Sequence, residues 1–134
     1  MKKQIPIALF VFVVLLTACK SIPPQIDLEF TKFDFGVVIN GEIVTQEVRV
    51  SNIGGEELVI SQVLTTCGCT TATLDLRVIP AGKEGKLQVT FDSGAHGPYL
   101  EGEVIRRVIL VTNDPNHYEA TVDFVANISL PETP

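Results

Sequence analysis

Tryptophan is absent from the 134 residues, methionine occurs once, histidine and tyrosine twice each, and cysteine three times. The missing Trp excludes an antibody-type immunoglobulin domain, whose core packs a Trp against a disulfide between the sheets. Two histidines and three cysteines without finger spacing exclude a four-ligand zinc finger. They also leave a Ser/His/Asp triad little material, and no pair of carboxylates stands out, so the chain is not expected to be an enzyme. Positive charge is scarce as well. Ten Lys and Arg stand against 16 Asp and Glu, a net charge of −6. Such a surface repels phosphate backbones, and nucleic acid is not an expected partner. The stretch "PAGKEG" (80–85) lacks the frame of a phosphate loop. No internal repeat and no low-complexity segment is present.

The longest apolar run is also too short to span a membrane. "IPIALFVFVVLLTA" (5–18) holds about 14 residues after Met1-Lys2-Lys3, whereas a span needs roughly 20. A short positive region followed by such a run reads as a secretory signal. It ends in Leu16-Thr17-Ala18-Cys19, which resembles the lipobox of bacterial lipoproteins. That resemblance implies cleavage between Ala18 and Cys19, a diacylglycerol thioether on Cys19 and an acylated, palmitate-type amino terminus. Each buried CH₂ contributes about 0.8 kcal/mol and one chain anchors only marginally, so three chains imply lasting attachment. Lys20 rather than Asp after the cysteine resembles an outer-membrane sorting pattern. The expected location is therefore the bacterial envelope, extracytoplasmic and lipid-anchored at the outer membrane, with an envelope protein as partner. Loss of residues 1–18 leaves 116 of the 134 and takes the net charge from −6 to −8, because Lys2 and Lys3 go with them. That length suits one domain.

The expected organisation is a signal peptide (1–18), a lipidated tether (19–26), one folded domain (27–129) and a disordered tail (130–134). Pro23-Pro24 stiffens the tether, whose reach at about 3.1 Å per residue is about 25 Å. Beyond it the hydrophobic period is two throughout, and no segment shows a 3.6-residue period. Seven strands are expected, over 28–38, 44–52, 57–65, 71–79, 86–92, 104–112 and 118–128, punctuated by Asn40-Gly41, Gly54-Gly55 and Pro80 to Gly82. Inward faces would carry Val44, Val48 and Val50; Leu74, Leu76 and Val78; Leu87, Val89 and Phe91; and Val122, Phe124, Ala126 and Ile128. Short strands separated by turns over about 100 residues predict an all-β, immunoglobulin-like antiparallel sandwich.

"FDFGVVINGE", "VRVSNIGGEELVIS", "TTCGCTT", "IPAGKEGKLQVTFDS" and "ILVTNDP" together resemble the bacterial family known as domain of unknown function 1573, whose members are often lipoproteins or periplasmic proteins. The pattern is also similar to Hydin-like and abnormal-spindle immunoglobulin-like modules. It runs from about Phe33 to Ile128, and Cys-Gly-Cys-Thr is its most specific piece. Thr66 departs from the usual Ser before the first cysteine, and "VANI" (125–128) from the usual glycine. The resemblance implies the sandwich fold and supplies no reaction.

With Cys19 assigned to lipid, Cys67 and Cys69 remain as an even pair in an oxidising compartment. Residues i and i+2 reach disulfide distance only where the chain bends, and Gly68 permits the bend. So small a ring is strained and readily reduced. Left reduced, two thiolates at this spacing form a soft site that favours Cu(I). In a seven-strand sandwich the cysteine loop and the loop carrying His96 share one end, whereas His117 and the tether share the other. The cysteine end should point away from the membrane. Arg106-Arg107 are expected to pair with acids such as Glu101 or Glu103. A structural turn, a thiol or Cu(I) site formed by Cys67, Cys69 and His96, and a loop shaped for binding all fit this chemistry. The leading expectation is a lipid-anchored binding or scaffolding module that needs no cofactor. The alternative is a thiol redox or Cu(I)-handling protein.

Overall fold

Alternating apolar residues become strands where the period-two segments fall, and the inner faces of two sheets close over one core. The computed structural model describes residues 20–132; the signal segment, Cys19 and the last two residues of the expected tail lie outside the described residues. The strands are β1 (Ile26–Leu28), β2 (Lys32–Ile39), β3 (Ile43–Asn52), β4 (Leu58–Thr65), β5 (Thr70–Leu74), β6 (Val78–Ile79), β7 (Glu84–Asp92), β8 (Gly102–Thr112) and β9 (Glu119–Ser129). They form a four-stranded sheet, β1-β3-β7-β5, and a five-stranded sheet, β2-β9-β8-β4-β6. Val48, Val50, Leu87, Val89 and Phe91 of the first sheet are fully buried against Val108, Leu110, Val122, Phe124 and Ala126 of the second.

Nine strands replace the expected seven because two of the expected strands change sheets midway. The first breaks at Glu29–Thr31. β1 pairs antiparallel with β3, whereas β2 crosses over and pairs with β9. Keeping its direction, β2 runs parallel to β9, so the sandwich is antiparallel except at that pair. The Asn40-Gly41 turn is tight, with the Glu42 N–H on the Ile39 carbonyl and φ of +100° at Gly41. It carries the chain between sheets and joins no hairpin. The fourth expected strand breaks after Leu74, where the Asp75 carboxylate takes the Lys86 N–H. Val78 and Ile79 then pair with β4. The change of partner reverses the facing of the segment, since strand faces alternate with period two. Ile79 is buried, and Leu76 and Val78, expected inside, are 44% and 45% exposed.

Part of the stretch expected to be tether is packed onto the domain. Pro24 is buried, the Ile53 N–H bonds the Gln25 carbonyl, and the Gly55 N–H bonds the Ile22 carbonyl. The Ser21 hydroxyl bonds the Glu56 carboxylate. Glycine is required where this segment crosses the β3–β4 turn. A Cβ on Gly54 would stand 2.1 Å from the Pro23 carbonyl oxygen and 2.6 Å from the Gln25 nitrogen. Gly54→Ala is therefore expected to cost roughly 1–3 kcal/mol in chemical denaturation. Amide exchange at Ile53 and Gly55 should accelerate as residues 22–25 lift away. Unchanged protection at those two amides would contradict the packing.

Candidate functional site

The site is assembled by two connections that cross the same end of the sandwich. β4 pairs with β8, Thr65 opposite Val108, and β5 pairs with β7, Thr70 opposite Phe91. The β4–β5 crossing, residues 66–69, must therefore run beside the β7–β8 crossing, residues 93–101. The first crossing carries Cys67 and Cys69, the second His96.

The cysteines form a disulfide with Cα atoms 5.2 Å apart. Backbone bonds hold the loop to both sheets: Thr66 N–H to the Arg107 carbonyl, Thr70 N–H to the Cys67 carbonyl, and Asp92 N–H to the Cys69 carbonyl. The Cys69 N–H reaches the Cys67 sulfur at 3.1 Å. Cys69 is only 3% exposed, Cys67 is half-buried, and His96 is exposed. His96 Nε2 lies 3.2 Å from the Cys67 sulfur. The His96 loop is itself braced. Asn40 donates through Nδ2 to the Gly97 and Leu100 carbonyls. The fully buried Ser93 hydroxyl accepts from the Gly41 N–H and lies 2.8 Å from the Glu42 carbonyl, which it can donate to.

Arg106 belongs to this site. It follows the inward phase of Val104, Val108 and Leu110 along β8, and its Nε stands 3.4 Å from the Cys69 sulfur. Among the described residues Arg106 has no carboxylate within salt-bridge distance. Its neighbour Arg107 forms a bidentate pair with Asp123, at 2.6 and 2.8 Å, directly across the β8–β9 ladder. The hydrogen bonds from Arg107 hold the Asp123 carboxyl below its ordinary value and raise the guanidinium in turn. The expected partners Glu101 and Glu103 are thus replaced. Register decides it, since Arg107 faces Asp123 and Glu103 faces Asn127. A charge in the inward phase of a strand was the available signal for Arg106.

Two thiolates and an imidazole here have the softness Cu(I) prefers, and the three donor atoms lie within 4.8 Å of one another. As a disulfide the sulfurs have no thiolate to offer, so metal binding would require reduction first. Three ligands from this loop pair fall short of the four that structural zinc takes.

The opposite end holds His117 and the tether, and its polar groups do structural work. Asn52 is buried and satisfied on every side. It donates to the Glu56 and Ile79 carbonyls and accepts from the Gln25 and Gly54 N–H groups. The fully buried Asp114 carboxylate accepts from the Ile26, Asn116 and His117 N–H groups and meets His117 Nδ1 at 3.2 Å. Neither residue stood out in the sequence beyond its place next to a turn. A shallow groove lined by Ile26, Leu28, Ile53 and Ala120 also opens at this end. It exists because β2 covers β9 only from Asp123 onward.

A family model described as "Protein of unknown function (DUF1573)" matches residues 26–128. No curated protein matches the chain. Among solved structures it is similar to a protein of unknown function from Porphyromonas gingivalis W83, at TM-score 0.68 and 20% identity over 78% of this chain and 46% of that one. This chain therefore spans about half the length of that protein. It is also similar to the ASH / PapD-like domain of human CEP192, at TM-score 0.54 and 12% identity over 84% and 89% of the two chains. The YadV chaperone matches at TM-score 0.55 and 17% identity, over 81% and 55%. At these identities the likeness shows the fold, a PapD-like, immunoglobulin-like sandwich.

Proposed function

The chain belongs to the DUF1573 family, and from that premise we propose that it is a lipid-anchored binding module of the bacterial envelope. On this reading it is a binder and not an enzyme, needs no cofactor, and recognises an extended segment of an envelope protein. The β5 edge carries the proposal. β5 ends the four-stranded sheet, begins directly after Cys69, and pairs with β7 in unbroken register. Its five residues, Thr-Thr-Ala-Thr-Leu, contain no charge and no proline. Protein edges are ordinarily blunted by charges, prolines or bulges, as the bulge at Asp34–Val37 and the charges of Lys32 and Asp34 blunt β2. An open, uncharged edge is the template that β-augmentation uses, in which main-chain bonds supply affinity and alternate side chains supply specificity.

The anchor fits this arrangement. With Cys19 acylated and residues 22–25 packed on the domain, only about two residues of slack remain, roughly 10 Å. The domain would stand on the outer membrane by its tether end. The cysteine end would lie about 35 Å higher, the length of an 11-residue strand at ~3.4 Å per residue.

Two readouts test the proposal in cells. Cys19→Ser should release the protein from the membrane fraction. A photo-crosslinking residue at Thr71 or Thr73, both exposed on β5, should capture one discrete envelope protein that a probe at Glu119, at the tether end of β9, does not. Equal capture from both positions, or envelope complexes unchanged in composition when the gene is deleted, would remove the binding reading.

A further inference from the structure

We infer that the Cys67–Cys69 disulfide is a thiol–disulfide exchange site with assigned sides, in which an incoming thiolate attacks Cys67 and Cys69 leaves as a thiolate held by Arg106. The inference goes beyond the binding reading and does not rest on it. Access separates the two sulfurs, since Cys67 is half-buried beside an exposed histidine and Cys69 is 3% exposed. An attacking sulfur must approach along the disulfide axis, and Cys67 is the residue of the pair with solvent access. Charge separates them in the same sense. A leaving thiolate needs a cation, because exchange accelerates as the leaving thiol becomes more acidic. Arg106 Nε stands 3.4 Å from the Cys69 sulfur, with no carboxylate among the described residues at salt-bridge distance to neutralise it. The Thr70 hydroxyl, buried and 3.7 Å from the same sulfur, adds a second donor. The guanidinium donates through Nη1 to the Ile105 carbonyl at 2.8 Å and through Nε faces a neutral disulfide. Its charge becomes useful when that sulfur turns negative.

The reactant class is a protein dithiol. A thiolate RS⁻ forms the R–S–Cys67 bond as the Cys67–Cys69 bond breaks, and the electron pair passes to the Cys69 sulfur. A second thiolate of the same reactant then attacks its own sulfur in that mixed disulfide. It closes the reactant's disulfide and expels Cys67 as a thiolate beside His96 Nε2, 3.2 Å away. The reactant dithiol loses two electrons and two protons. The cysteine pair gains two electrons, and the protons pass to the released thiolates or to water.

The test uses the full protein solubilised from membranes. Brief exposure to reduced glutathione, acid quenching, alkylation of free thiols and fragmentation of the peptide locate each group. Glutathione is expected on Cys67 and the alkyl group on Cys69, at tenfold preference or more. Arg106→Gln should slow the exchange three- to tenfold and keep the preference for Cys67, and Arg106→Lys should restore part of the rate. A purely structural Arg106 would lower the melting temperature of Arg106→Gln and leave its exchange rate unchanged. Arg106→Lys carries the comparison should Arg106→Gln fail to fold. Glutathione divided evenly between the sulfurs, or no exchange at all, would overturn the assignment. Either result leaves the crosslinking test of the β5 edge untouched.

Discussion

Phe124→Ala is expected to destabilise the protein by about 4 kcal/mol, within the roughly 3–5 kcal/mol range for emptied aromatic sites. Phe124 is fully buried on β9 and gathers the core aromatics of both sheets. Its ring centroid lies 5.6 Å from Phe33, 5.2 Å from Phe35 and 5.3 Å from Phe91. Phe33 and Phe35 come from the edge strand β2 and Phe91 from the opposite sheet. One truncation therefore loosens the parallel β2–β9 pair and the contact between the sheets together. Domains of this size are stable by about 5–15 kcal/mol, so the loss is a large fraction of the whole. Urea denaturation should show the midpoint falling with an unchanged slope. Tyr99→Ala, at an 87% exposed position, should stay within about 0.5 kcal/mol. The effect also reaches the site. Phe91 pairs with Thr70, and the next residue, Asp92, holds the Cys69 carbonyl. A loss below about 1 kcal/mol for Phe124→Ala would contradict the reading of this cluster as the core.

How much of this was legible depends on whether the information was local. The segments 44–52, 86–92, 104–112 and 118–128 announce themselves by alternation, and β3, β7, β8 and β9 match them within two residues at either end. Meeting of Cys67 with His96 was legible too, since counting connections in a sandwich assigns each loop to an end. The sheet changes at Glu29–Thr31 and Asp75–Arg77 were not. Alternation continues through Asp75–Arg77, and at Thr31-Lys32 only a one-residue slip of the apolar phase, from Leu28 and Phe30 to Phe33 and Phe35, marks the break. In both, the partner strand that decides the change lies far away in the chain. The same limit hid Arg106, whose meaning comes from a sulfur 37 residues distant. Tether packing was hidden because Gly54-Gly55 signals a turn whether or not another segment lies across it. Asn52 and Asp114 read as ordinary turn residues for the same reason. Their partners, Gln25, Ile79 and Ile26, are remote in sequence.

Asp114→Ala is the second large effect, expected at about 2–3 kcal/mol, because it strands the buried Ile26 N–H and frees the part-buried N–H groups of Asn116 and His117. The Ile26, Asn116 and His117 N–H groups all point at this carboxylate. An unpaired buried donor costs about 1–3 kcal/mol. Burial alone would raise the Asp114 carboxyl, but the hydrogen bonds from Ile26, Asn116 and His117 outweigh it and hold the group below the ordinary carboxylate range. Unfolded, the group titrates at about 4. Since the folded value is the lower one, the stabilisation from Asp114 is complete above about pH 4 and is lost as the pH falls through the folded value. Asp114→Asn removes that titration. Urea unfolding from pH 7 down to about pH 2.5 should therefore give two curves that run parallel at neutral pH and converge below about pH 4, as the unaltered protein loses its advantage. A constant gap between them across that acid range would mean that the carboxylate charge contributes nothing. The bond to Ile26 ties β1 to the β8–β9 turn, so exchange at the Ile26 amide should accelerate first in Asp114→Ala. That change would report release of the segment through which the fold meets its tether.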